Sequence, residues 1–167
     1  MRKLGLILAA LVIVFDQLTK WLIVETVMRP DGVAETPFYT PTHIEVTPFF
    51  NLVMTWNRGV SFGIFNDHGE WNALALSVLS VVIVVVLLVW MKKAAGHVVP
   101  LALGSIIGGA LGNVVDRVRW GAVADFLDVH AMGWHWPAFN LADSAITIGA
   151  ILLVLDSLLS RPNSDKN

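Results

Sequence analysis

The 167-residue chain has no cysteine and little charge. The missing thiols exclude disulfides, thiolate catalysis, Cys-ligated zinc and a lipidated cysteine of its own. Lysine and arginine number 11 against 13 acids, a net charge of −2 without any basic stripe, so no nucleic-acid partner is expected. Only 14% of the residues are charged, whereas a soluble domain carries about 25%. Familiar hydrolase signatures are also missing. There is no HExxH motif, Ser61, Ser77 and Ser144 lack a GxSxG context, and no acid stands at zinc-triad spacing from His130 and His135. Neither a metal nor another cofactor is expected. No internal repeat is visible, and the one low-complexity piece is the polar tail at 162–167.

What remains is apolar: 56% of the residues are hydrophobic, with a mean hydropathy of +0.69. A spanning helix needs about 20 mainly apolar residues. Four stretches qualify, at about 4–24 (interrupted by Asp16 and Lys20), 71–91, 98–115 and 141–159. The first resembles a signal peptide, with Arg2 and Lys3 before an apolar run. No small-x-small cleavage site follows, so it is expected to stay as a helix. The fold class is therefore an integral membrane protein, mainly α, expected as a single membrane domain over 1–167. Arg2, Lys3, Lys92, Lys93, Arg161 and Lys166 fall on one side, which the positive-inside rule makes cytoplasmic, together with both termini. Trp21, Trp71, Trp120, Trp134 and Trp136 mark the opposite interface and Trp90 the inner one.

Two outer pieces follow from this topology. The longer, 26–70, begins as loop and becomes strand-like from His43, with β-branched and aromatic residues through Trp56. Asn57-Arg58-Gly59 is a turn signal, and Val60 to Phe65 reads as a strand or an interfacial helix. A small β-rich extracytoplasmic cradle, at about 43–65, is thus expected between helices 1 and 2. The second piece, 116–140, holds Asp125, Asp128, His130 and His135. Gly104, Gly108 and Gly112 recur every four residues in the third segment, a spacing that lets helices approach closely, within one molecule in preference to a homodimer.

Candidate chemistry concentrates in a few polar residues. Asp143 opens an apolar segment, and an ionisable residue there is a functional candidate by default. It also stands three residues after Asn140, at capping-box spacing, so a purely structural cap is an equal alternative. Asp125 lies among apolar neighbours, where desolvation raises a carboxyl pKa. Two converging carboxylates form an acid/base pair able to deprotonate a water and protonate a leaving amine, which is peptide hydrolysis. Asp16 and Lys20, four apart on one helical face, either hide each other's charge or brace the site. Asp116 and Arg117 are adjacent and so point apart. Arg117 suits a phosphate, a substrate carbonyl, an acid of the site or a plain interfacial anchor.

The motifs taken in order resemble those of bacterial lipoprotein signal peptidase, also called prolipoprotein signal peptidase or signal peptidase II. Asp16-Gln17-Leu18-Thr19-Lys20 is similar to the family's D-Q-x-[ST]-K, and Asn57 to Gly63 to its N-x-G-x-x-F stretch. Gly108 to Arg117 resembles G-G-x-x-G-N-x-x-D-R, Val123-Ala124-Asp125-Phe126 resembles V-x-D-F, and Phe139 to Ser144 resembles F-N-x-A-D-[ST]. Ser61 and Ala124 depart from the usual Ala and Val without removing a polar group. The resemblance implies an intramembrane aspartic endopeptidase with Asp125 and Asp143 as the catalytic dyad. Its substrate would be a diacylglyceryl-modified prolipoprotein, cut just before the lipidated Cys at the outer face of the bacterial inner membrane. Asp16, Lys20, Asn57, Gly59, Asn113, Asp116, Arg117 and Asn140 would bind substrate or support the site. Membrane lipids would be its other partners and a monomer its state. The alternative is a small ion-coupled transporter using the same carboxylates.

Overall fold

The apolar runs become four helices: α1 (Arg2–Leu22), α2 (Gly69–Lys93), α3 (Val98–Trp120) and α4 (Leu141–Leu159). All four are long and apolar enough to cross a membrane. The structure, a computed structural model, describes residues 1–33, 43–59 and 69–159. Ser61, the segment expected over 60–65 and the tail at 162–167 lie outside them. A π-helical turn, Ile23–Val27, extends α1. The third helix runs on past the apolar stretch because nothing before Gly121 stops it. Gly121 takes a left-handed φ of 70° and its N–H closes on the Arg117 carbonyl at 2.9 Å, a glycine C-cap. That extension keeps Asp116 and Arg117 helical.

Helix α3 packs against each of the other three. Its glycines explain how. A Cβ on Gly108 would lie 2.7 Å from the Ala9 carbonyl oxygen, and one on Gly112 would lie 2.6 Å from Asp16 Oδ2. Gly104 faces Gly5 in the same way, so α1 and α3 run parallel in close contact. Gly109 meets Ala142, and Gly149 of α4 meets Ala102 and Ile106, so α4 runs antiparallel. The four-residue glycine spacing thus serves contact within the molecule. Ser105 adds a hydrogen bond to the Ala145 carbonyl at 2.8 Å. By contrast α2 carries an apolar surface nearly all round, and Leu74, Val78, Val82, Val85 and Val89 are exposed, as lipid-facing side chains are.

Both chain segments at the α1/α3 C-terminal end contribute to one antiparallel sheet. Strands β1 (His43–Thr47) and β2 (Phe50–Asn57) come from the insertion between α1 and α2, and β3 (Val123–Ala131) and β4 (Trp134–His135) from the segment before α4. The order is β1-β2-β3-β4. Met132 and Gly133, with φ of 52° and 80°, form the two-residue turn between β3 and β4. The sheet is therefore wider than the insertion alone supplies. Asp125, in the second outer piece, stands within β3, paired to Thr55 of β2. Residues Val123 to Phe126 are all buried, so this part of β3 lacks the polar alternation that signals a strand. Beneath the sheet, Met28, Met54, Trp120 and Phe126 form a core cluster, with Trp56 edge-on to Trp120 at 5.4 Å.

The close α1–α3 contact yields a stability prediction. Gly108→Val forces the two backbones apart and costs about 1–3 kcal/mol, whereas Ala10→Val, on the exposed face of α1, is neutral. Thermal melts in detergent check this, and equal melting temperatures for the two variants would contradict it.

Candidate active site

The polar residues of the helix ends meet in one network. Lys20 of α1 is wholly buried, as are Asp16, Asp116 and Asn140, each at 0% exposure. The Lys20 ammonium lies 2.8 Å from Asp16 Oδ2 and 2.8 Å from Asp116 Oδ2, and donates to Asn113 Oδ1 at 3.0 Å. Asp16 does more than pair with Lys20. Its Oδ1 accepts the Ala142 N–H at 2.9 Å, tying α1 to the first turn of α4. Asp116 accepts the Ala124 N–H at 3.2 Å, tying α3 to β3. Gln17, not singled out in the sequence, joins them: its amide donates to Asp116 Oδ1 at 2.8 Å and to the Gly112 carbonyl at 3.2 Å. The signal for it was a second polar residue beside Asp16 in an otherwise apolar helix.

Three asparagines carry the network to the two acids, and each amide has its orientation dictated. Lys20 has only donors, so Asn113 must turn its oxygen to it. That leaves Asn113 Nδ2 to donate to Asp143 Oδ1 at 2.8 Å. Asn140 accepts the Asp143 N–H on its oxygen at 3.0 Å, so its Nδ2 donates to Asp125 Oδ1 at 2.7 Å. Asn57 accepts the Gly59 N–H at 2.9 Å, and its Nδ2 donates to Asp125 Oδ2 at 3.0 Å. Gly59 makes that bond at a φ of +106°, a conformation that favours glycine. Asp143 Oδ2 in turn accepts the Asn140 N–H at 3.3 Å. The capping box is real, and the capping residue is also in the site.

The sequence-selected residues Asp16, Lys20, Asn57, Gly59, Asn113, Asp116, Asn140, Asp125 and Asp143 thus form one connected set. Arg117 is the looser member. It donates weakly to the Asn113 carbonyl at 3.5 Å, its Nε is buried without a partner, and Asp143, Asp116 and Asp125 all lie within electrostatic reach of its guanidinium. Burial pushes the Asp125 carboxyl up to about 7, opposed by the Asn57 hydrogen bond and reinforced by the Asp143 charge. Asp125 therefore still carries its proton in about half of the molecules at neutrality. A pocket of about 610 Å³ opens beside Asp143, between α4 and the β3–β4 hairpin, with mainly apolar walls. At its edge Asp128 is held below the usual carboxylate range: burial raises it, but hydrogen bonds from Asn51 and His135 outweigh that. Among the described residues, no three His, Cys, Asp or Glu side chains are grouped to hold a metal ion.

A four-helix membrane bundle, capped at one end by a sheet and holding two hydrogen-bonded acids there, has the outline of a membrane-embedded aspartic peptidase. Residues 8–159 match the model of the family described as signal peptidase (SPase) II, and the chain belongs to that family. It is 50% identical over 151 residues to a lipoprotein signal peptidase of Paraburkholderia phytofirmans, covering 90% of this chain and 81% of that one. A lipoprotein signal peptidase of Burkholderia thailandensis is 45% identical over 153 residues, covering 90% and 85%. A solved bacterial membrane enzyme structure superposes with a TM-score of 0.77 at 31% identity, covering 98% of this chain and 92% of the other. The protein is thus a multi-pass membrane peptidase of the aspartic type. The transport alternative draws support from neither the relatives nor the fold.

The network makes Lys20 its most sensitive member. Lys20→Met leaves two acids buried with no cation and lowers stability by about 3–5 kcal/mol, while Lys3→Met, at an exposed position, changes little. A detergent melt of Lys20→Met within a degree of wild type would contradict the assignment.

Proposed function

We propose that the protein removes signal peptides from diacylglyceryl-modified prolipoproteins, cutting just before the lipidated Cys, with Asp125 and Asp143 as the catalytic pair. The observation that carries this is Asn140, which donates to Asp125 from its side chain and to Asp143 from its backbone. One buried residue thereby holds both acids at the same place. Asp125, protonated up to about 7, is the acid, and Asp143 is the base. Asp143 takes a proton from water as the water oxygen attacks the scissile carbonyl carbon. Asp125 gives its proton to the carbonyl oxygen. As the tetrahedral intermediate collapses, the C–N bond breaks, Asp143 protonates the leaving nitrogen and a hydroxyl proton returns to Asp125. Arg117 faces the pair as a fixed positive charge. Asp16, Lys20, Gln17 and Asp116 position the asparagines and touch no substrate.

The membrane setting fits this substrate. Arg2, Lys3, Lys92 and Lys93 lie at the bundle end away from the sheet, an arrangement that supports cytoplasmic termini in a bacterial inner membrane and a site near the outer face. The scissile bond of a lipid-anchored signal helix lies at that depth. Lipid tails and the signal helix bind through apolar contact, each buried methylene contributing roughly 0.8 kcal/mol. The whole bundle forms the site as one monomeric unit.

Purified protein in detergent, given a diacylglyceryl-modified prolipoprotein, releases the signal peptide, seen as a gel shift. Asp125→Asn and Asp143→Asn stay folded and lose cleavage. Cleavage by both variants would make the acids structural and end the catalytic assignment. Activity also depends on pH in a fixed sense. Asp125 must carry its proton, so kcat/KM falls as pH rises beyond about 7. A kcat/KM that climbs steadily through that range would contradict Asp125 as the acid.

A further inference from the structure

A second group of charges lies where the sheet ends of α1 and α3 meet, and none of its residues lines the pocket beside Asp143. The π-helical turn that extends α1 carries Glu25. One Glu25 oxygen lies 3.7 Å from Arg119, near the end of α3, and the other pairs with Arg29. Arg119 is also seated on a platform. Its guanidinium carbon stands 4.5 Å from the centre of the Trp120 ring, a cation–π distance. That ring is fixed in turn: Trp120 belongs to the core cluster beneath the sheet and meets Trp56 edge-on.

The platform holds the guanidinium without using its N–H groups. At 3.7 Å the Glu25 contact is an ion pair and not a hydrogen bond. Among the described residues the Arg119 side chain makes no hydrogen bond, and it is 49% exposed. A planar fork of donors therefore faces outward. Its surroundings define what it can take. Arg119 lies at the end of a helix long and apolar enough to span the membrane, the depth at which acyl chains give way to headgroups. Val115, one turn before it, and Val118 beside it are exposed, as are Trp21 and Leu22 one turn before Glu25. A fixed cation above lipid-facing apolar side chains matches an amphiphile with an anionic head. A guanidinium fork takes two oxygens of a phosphate at once, while the aliphatic surface below accepts chains. A soluble anion would gain nothing from that surface.

We infer that Arg119, seated on Trp120 beside Glu25, forms a binding site for the phosphodiester of a membrane phospholipid, whose acyl chains lie along Val115 and Leu22. The site touches no reacting group and stands independently of the peptidase reading.

The test is native mass spectrometry of the full chain in detergent, with phosphatidylglycerol added in one series and a diacylglycerol of the same acyl chains, which has no phosphate, in the other. Arg119→Gln raises the apparent Kd for phosphatidylglycerol about tenfold and leaves diacylglycerol binding unchanged. Arg119→Lys, which keeps the charge and loses the fork, recovers part of the affinity. Lys93→Gln, at the opposite end of the bundle, stays within about twofold of wild type. Unchanged phosphatidylglycerol binding in Arg119→Gln overturns the inference. An equal loss in Lys93→Gln also overturns it, because the attraction would then be one of general charge. So does an equal loss of diacylglycerol, which would make the contact one of packing alone. Displacement of the lipid by equimolar inorganic phosphate would show a site for a soluble anion and contradict the phospholipid assignment. If a detergent melt shows Arg119→Gln unfolded, Arg119→Lys carries the same comparisons.

Discussion

A lysine ammonium with no exposed surface, inside a membrane bundle, must spend every proton on an acceptor. Lys20 has three, on Asp16, Asp116 and Asn113. The first two neutralise it and draw α1 and α3 together. The third sets the direction of everything beyond. Because Asn113 presents its oxygen to Lys20, it can offer only its NH₂ group to Asp143. Asn140 and Asn57 are turned the same way by backbone N–H groups, of Asp143 and Gly59. Three amides therefore aim donors at two carboxyls, and a flip of the buried Asn113 would strand the Lys20 donor, at a cost of about 1–3 kcal/mol.

The helices and the sheet divide this work. The glycines of α3 let α1 come close enough for Asp16 to reach the Ala142 N–H on α4, so the charged pair also fixes where α4 begins. The sheet brings the other acid. Asp116 holds the start of β3 through the Ala124 N–H, and β2 supplies Asn57 from the opposite side. Each acid thus comes from a different element, and Asn140, at the junction of loop and α4, touches both. Asp125 sits 2% exposed, and that burial raises its carboxyl to about 7. Asp143, in the first turn of α4, is only half-buried and borders the pocket, where water and substrate can reach it.

The sequence carried the helices well, because long apolar runs leave a membrane segment few alternatives. The acids Asp16, Asp125 and Asp143 and the cation Lys20 were legible too, since each is conspicuous among apolar neighbours. Strand β3 was hidden for the same reason that it matters: with both faces buried around Asp125, it shows no alternation of polar and apolar residues. The end of α3 was misjudged because hydropathy falls at Asp116 while the helix runs to its glycine cap at Gly121. The capping contacts of Asp143 and the candidate site share residues: Asn140 accepts the Asp143 N–H and donates from its side chain to Asp125. Gln17 and Asn51 bond to residues far along the chain, Asp116 and Asp128, and those partners could not be read from local spacing.

The central physical claim is that burial, helped by the Asp143 charge, raises the Asp125 carboxyl to about 7 against the hydrogen bonds from Asn57 and Asn140, which favour the carboxylate. Infrared difference spectroscopy of the detergent-solubilised protein across a pH titration tests this directly. The account predicts a carbonyl-stretch band of a protonated carboxyl that is lost as pH rises through about 7 and is missing from the Asp125→Asn variant. A band that persists unchanged in Asp125→Asn, or a wild-type protein with no carboxyl titrating in that range, would contradict it.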